Sequence, residues 1–156
     1  MIYIASDHAG FELKKALVEH LRAKGHEVGD VGAYQYNEQD DYPDFIYPCA
    51  AKVAYQQAQG KSNVLGIAIG GSGQGEAIVA NKVKGIRATV YYGGNLDIIK
   101  LSKEHNNANV LSLGARFLTV DQAEEAVDLW LETKFSSESR HLRRIQKIKK
   151  IENGSL

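Results

Sequence analysis

Short apolar runs and amphipathic stretches alternate along this chain. Residues 2–6, Ile-Tyr-Ile-Ala-Ser, read as a first strand, and Asp7-His8-Ala9-Gly10 as the turn that leaves it. Leu13, Leu17 and Leu21 then recur at i, i+4 and i+8, a stripe that predicts a helix ended by Gly25. Residues 26–31 predict a second strand, weaker because it is polar. A loop over 32–43 follows and carries Tyr34, Tyr36, Asp40, Asp41 and Tyr42. A connection of this length in a compact domain is often functional. Its acidic side chains, Asp40 in particular, read as solvated surface. Residues 44–59 predict a helix with Ile46, Ala50, Val53 and Ala54 inward, where Cys49 reads as a small packing residue.

The next stretch, Val64–Lys82, organises the rest. A short apolar run enters Gly70-Gly71-Ser72-Gly73-Gln74-Gly75-Glu76, and a helix-like segment leaves it. Such a run bounded by glycine suits a strand buried on both faces. The glycines let main-chain N–H groups come close to a ligand, and the helix N-terminus behind them favours negative charge. The loop is therefore suited to an anion or a developing oxyanion. Two familiar motifs fail here. The third glycine of a dinucleotide fingerprint would fall on Glu76 or Ile78, and a P-loop would need Lys and Ser/Thr where Glu76 and Ala77 stand. A carboxylate beside phosphates would repel them. Glu76 points either to a base beside a backbone anion hole or to a first-turn residue complementing the helix dipole.

Residues 86–91 predict a fourth strand, 96–103 a short helix and 109–113 a fifth strand. The polar cluster Glu104-His105-Asn106-Asn107 enters that last strand, and Gly114-Ala115-Arg116 leaves it. His105 is a side chain able to exchange a proton near neutral pH, or a solvated loop residue. Thr119 or Asp121 is placed to cap a helix running through Thr133. The C-terminal stretch, about 139–152, predicts a basic helix with Ile145, Ile148 and Ile151 along one side. Arg140 and Arg144 share a face there, which suits a phosphate or carboxylate dianion or an exposed basic helix. No strand follows, so this helix docks on the domain or on a partner subunit.

Composition narrows the classes. The chain has 156 residues, enough for one domain with a sizeable core, and zero formal net charge. That charge gives no electrostatic case for nucleic acid or an anionic membrane. Cys49 is the only cysteine, so no intrachain disulfide forms, which fits a reducing, cytoplasmic setting. No apolar run approaches the ~20 residues of a membrane span, and Met1 runs directly into the first strand, leaving no room for a signal peptide. No His/Cys/carboxylate cluster has convincing ligand spacing, so neither a metal nor another cofactor is expected.

Six blocks together resemble type B ribose-5-phosphate isomerase, in the ribose/galactose isomerase family. They are Asp7-His8-Ala9-Gly10, the Gly70–Glu76 loop, Ala80-Asn81-Lys82, Glu104-His105-Asn106-Asn107, Gly114-Ala115-Arg116 and Arg140-His141-x-x-Arg144. The likeness runs from Met1 to about Ile148, in the family's order. It implies an aldose–ketose isomerase of ribose 5-phosphate and ribulose 5-phosphate, in the non-oxidative pentose phosphate pathway. Asp7 and His105 would help open the sugar ring, and Glu76 would move the proton between C1 and C2. Gly71, Ser72, Gly73 and Gly75 would form the anion hole. Asn106 would bind hydroxyls, while His8, Arg116, Arg140 and Arg144 would hold the phosphate. Many members carry a catalytic Cys where this chain has Gly70, so the resemblance implies the branch that uses Glu76. It also implies a homodimer whose sites are completed by both subunits. The expected fold is a single three-layer α/β/α, Rossmann-like domain over 1–156 with a five-stranded parallel sheet. Isomerases of allose or galactose 6-phosphate, and a non-catalytic phosphate- or nucleotide-binding module, are the alternatives.

Overall fold

The computed structural model describes residues 1–155. Five strands, β1 (Ile2–Ser6), β2 (Val28–Asp30), β3 (Leu65–Gly70), β4 (Ala88–Tyr91) and β5 (Val110–Gly114), form one sheet in the order β2-β1-β3-β5-β4. Every neighbouring pair is parallel. Six helices accompany them: α1 (Phe11–Ala23), α2 (Pro43–Ala58), α3 (Gln74–Ala80), α4 (Asp97–Glu104), α5 (Val120–Glu132) and α6 (Ser139–Glu152). A single 3-10 turn, His8–Gly10, joins β1 to α1. The expected five-stranded α/β architecture is present. Among the described residues, no helix is long and apolar enough to cross a membrane.

Alternation along the central strands sorts the two faces. Ile2, Ile4, Ile67, Ile69, Leu111 and Leu113 pack with α1, α4 and α5. Apart from Tyr3, the intervening positions are small: Ala5, Gly66, Ala68 and Ser112. They let α2 and α3 approach the opposite face, where Ile46, Cys49, Ala50, Val53 and Ala80 pack. A side chain at Gly66 would lie 3.0 Å from both Val53 and Val110. The stripe Leu13, Leu17 and Leu21 is buried as the periodicity predicts, and Cys49 is buried too. Thr119 caps α5 within a full capping box. Asn81 closes the Ala80-Asn81-Lys82 block structurally, exchanging two hydrogen bonds with the backbone of Ala88.

The second and fourth strands are shorter than the 26–31 and 86–91 patterns predict. Backbone pairing at the β2 edge continues irregularly, with Ile2 N–H donating to Glu27 O and Val31 N–H to Ile4 O. α6 differs most from a packed core helix. His141 is its one buried residue among those described. Ile145 is half-buried, while Ile148 and Ile151 are exposed.

Candidate active site

Strand order reverses between β1 and β3, and the loops leaving their carboxyl ends define a crevice. Open parallel sheets bind ligands at such switch points. A cleft of about 340 Å³ lies there, lined by Asp7, His8, Tyr42, Gly71, Ser72, Gly75, Glu76 and Arg116 among others. The ends of β1, β3 and β5 supply all of these but Tyr42, which comes from the loop after β2.

The glycine loop is held from beneath. Buried Ser112 on β5 donates its hydroxyl to Gly73 O at 2.6 Å. Gly73 itself takes φ 77° as the cap of α3, and a side chain there would press on the Leu113 carbonyl carbon at 3.0 Å. Ala115 and Arg116 donate their N–H groups to the carbonyls of Gly70 and Gly71, tying the loop to the end of β5. Among the described residues, no backbone carbonyl takes the N–H groups of Gly71, Ser72, Gly73 or Gly75. The Arg116 side chain lies across Gly71, and the Tyr42 phenol across Gly75.

Glu76 sits in the first turn of α3 and is only 4% exposed. Its Oε2 has no hydrogen-bond partner. Burial raises its pKa above the ordinary carboxylate value; its own and the Gly73 backbone N–H groups act the other way, and nearby Asp7 adds to the rise. A Cβ at Gly70 would overlap the Glu76 carboxyl group and come within 2.9 Å of its Cγ. The carboxylate thus occupies the volume that a side chain at position 70 would fill.

Asp7 is buried and uses Oδ1 to accept from the N–H groups of Ala9, at 2.9 Å, and Gly10, at 3.2 Å. It is a turn cap and a cleft residue at once. Asp40 corrects the sequence reading: its side chain is 6% exposed rather than solvated. One of its oxygens, Oδ1, accepts from the His8 backbone N–H at 3.0 Å and lies 2.7 Å from His8 Nδ1. Asp7, His8 and Asp40 bring three potential ligand atoms within 4.8 Å of one another. The His8–Asp40 contacts commit one of them.

The remaining candidates lie at the opposite edge of the sheet. α4 runs back from the carboxyl ends, so His105 and Asn106 stand before the amino end of β5, about 15 Å of strand away from Arg116. Arg87 clamps this corner, donating to the carbonyls of Asn106 and Asn107. His105 stacks on His141 of α6, with ring centroids 4.3 Å apart and planes 11° from parallel. Both ring nitrogens of buried His141 lack hydrogen-bond partners. Arg140 and Arg144 come with the same helix, and Arg140 pairs with Glu138 at 2.8 Å. One chain therefore joins Asp7, His8, the glycine loop, Glu76 and Arg116, and separately His105, Asn106, Arg140 and Arg144.

Residues 2–148 match the Ribose/Galactose Isomerase family along almost the whole chain. The chain belongs to the ribose/galactose isomerase family. Among its relatives, ribose-5-phosphate isomerase B of Mycobacterium leprae is 39% identical over 97% of this chain and 89% of the relative. That of Mycobacterium tuberculosis is 42% identical over 92% of this chain and 85% of the relative. Ribose-5-phosphate isomerase B from Mycoplasma genitalium with bound ribulose-5-phosphate superposes with a TM-score of 0.89 at 42% identity, covering 97% of this chain and 95% of that one. The Clostridium thermocellum enzyme gives 0.85 at 42% identity over 99% of both chains.

Within this ribose/galactose isomerase, sequence pattern marks neither Tyr42, which lines the cleft, nor Asp40, which bonds His8, as a site residue. Both sit in the 32–43 loop, whose length was the only signal available. Lys14 was also unmarked. Fully buried on α1, it donates to Asp30 at 2.7 and 2.9 Å and to Ala33 O at 2.6 Å, anchoring the start of that loop.

Proposed function

We propose that this protein interconverts ribose 5-phosphate and ribulose 5-phosphate through an enediolate. The observation that carries this reading is Glu76: a buried carboxylate with one unpartnered oxygen, beside a glycine loop whose Gly71, Ser72 and Gly75 N–H groups meet no backbone carbonyl among the described residues. Asp7 and His105 open the ring. Glu76 takes the proton from C2, next to the C1 carbonyl, and returns it to C1, while the O2 hydroxyl proton passes to O1 as the carbonyl moves to C2. The N–H groups of Gly71, Ser72, Gly73 and Gly75 stabilise the charge developing on oxygen, where one such donor contributes roughly 3 kcal/mol. Asn106 binds substrate hydroxyls, and His8, Arg116, Arg140 and Arg144 hold the phosphate.

Glu76 acts here without a thiol. Cys49 lies in the α2 face of the core, its Sγ 4.0 Å from Ile67 O, and burial pushes its pKa up to about 12. A thiol in that setting is protonated at neutral pH and faces no substrate.

The two clusters belong to one reaction only if a second copy supplies one of them. The active protein is a homodimer in which the carboxyl-edge cleft of one chain meets the amino-edge cluster and α6 of its partner. Exposed Ile148 and Ile151 and the unpartnered His141 nitrogens support α6 as part of that contact. The test is turnover of ribose 5-phosphate against allose and galactose 6-phosphates. Preferential turnover of the pentose is expected. Preference for a hexose phosphate would reassign the substrate, and binding without turnover would leave a phosphate-binding module.

A further inference from the structure

We infer that Asp40 is a positioning residue that fixes the His8 imidazole, through Nδ1, as a donor to the substrate phosphoryl group. This rests on the proposed role of His8 as a phosphate ligand and extends it to the residue that orients it. One Asp40 oxygen takes both the amide and the ring nitrogen of His8. Backbone and imidazole are thereby set together; with Nδ1–H held by Asp40, Nε2 is the remaining ring nitrogen, and it donates when the ring is protonated. The carboxylate is nine-tenths buried, and its second oxygen has no partner. A buried carboxylate of this kind is held in place by the cation or donor it serves. Tyr36, from the same loop, stands edge-on to His8 at 6.4 Å and to Phe11 at 6.1 Å, so the loop closes over the ring.

Three charged groups bear on His8, Asp40 from the loop, Asp7 at the cap of the 3-10 turn and Arg116 after β5, and Glu76 of α3 lines the same cleft. The phenols of Tyr36 and Tyr42 complete the surroundings. The Asp40 hydrogen bond is the largest influence and raises the His8 pKa; burial opposes it, Asp7 adds to it and Arg116 opposes it. The consequence concerns the overlap of two titrations. A phosphate monoester becomes a dianion above about pH 6, whereas an ordinary imidazolium is lost above about pH 6.5. Raising His8 widens the interval in which cation and dianion coexist. Asp40 therefore matters most on the alkaline side of neutrality.

Asp40→Asn keeps an acceptor for the His8 amide while removing the charge. Steady-state kinetics on ribose 5-phosphate, inorganic phosphate affinity and NMR titration of His8 are measured together from about pH 6 to 8.5. The expected result is a lower His8 pKa, a phosphate affinity and 1/KM that fall roughly tenfold near pH 8 but much less near pH 6, and a nearly unchanged kcat. In a His8→Asn background, Asp40→Asn adds no further loss. An unchanged His8 titration, a pH-independent loss, or an additive loss in that background would overturn the inference. Wild-type protein inactive on ribose 5-phosphate would overturn the proposed substrate instead, with the pH-dependent phosphate affinity still deciding for or against Asp40.

Discussion

At the scale of single residues, Glu76, the proposed base, sets function against stability. Glu76→Gln keeps the shape and removes the basic oxygen. Its kcat is expected to fall by the ~10²–10⁴ that positioned acid–base catalysis supplies, with KM far less affected. In the wild type, the acid limb of the kcat profile should lie above the ordinary carboxylate value, because burial raises this pKa. The same shift sets a stability effect of defined sign. The folded protein holds the Glu76 proton more tightly than the unfolded chain does. Its stabilising contribution is full below the ordinary value of 4.5 and is lost as pH rises through the raised one. The Gln variant should therefore melt higher than wild type at neutral pH and no higher near pH 4, in thermal denaturation followed by circular dichroism. Glu76, Asp7 and the loop glycines were legible in the sequence because their roles are local, set by a strand end and a helix start. Asp40 and Tyr42 were not. Asp40 meets His8 across 32 positions of chain, and only the path of the loop brings it there.

At the scale of elements, the alternating pattern located every strand and helix, because burial on two faces leaves a continuous apolar run and burial on one leaves a stripe. Strand ends were less legible, since pairing at the β2 edge fades into irregular bonds such as Ile2 N–H to Glu27 O. α6 is the element whose apolar side was read correctly and whose docking depends on more than its own sequence. Burial, then His105 and Arg140, lower the His141 pKa, while Glu138, 3.8 Å from Nε2, acts the other way. The folded protein thus binds this proton less tightly than the unfolded chain. Stability from the stack is present above the ordinary histidine value of 6.5 and is lost as pH falls below it. Hydrogen exchange should show residues 139–152 losing protection between about pH 7.5 and 5.5 while α5 keeps its own.

At the scale of the whole molecule, the sequence shows the motifs of the proposed site and hides their division between two edges of the sheet. Motif order along a chain says nothing about which edge a loop occupies; strand direction decides it. The dimer proposal makes a quantitative prediction for mixed subunits. Glu76→Gln disables the carboxyl-edge cluster and His105→Asn the amino-edge cluster. A heterodimer of the two holds one doubly altered site and one intact site. Random reassortment should restore about a quarter of wild-type activity, since half the dimers are mixed and each keeps one of two sites. Sites confined to single chains would restore none.

Because the Glu76 carboxylate fills the volume above Gly70, a change at either position bears on the other. A side chain gained at 70 evicts the carboxylate, which is the mobile end of a flexible chain, so Gly70→Cys should fold normally yet lose the Glu76-dependent turnover. Any activity that variant retains should be abolished by iodoacetamide, to which the wild type, with Cys49 buried, should be indifferent. A lineage can thereby hand the basic group from one chain position to another while its place in the site stays fixed. The first substitution on that route should lower turnover on its own, so the order of the two changes, not either change alone, is expected to decide whether the route is open.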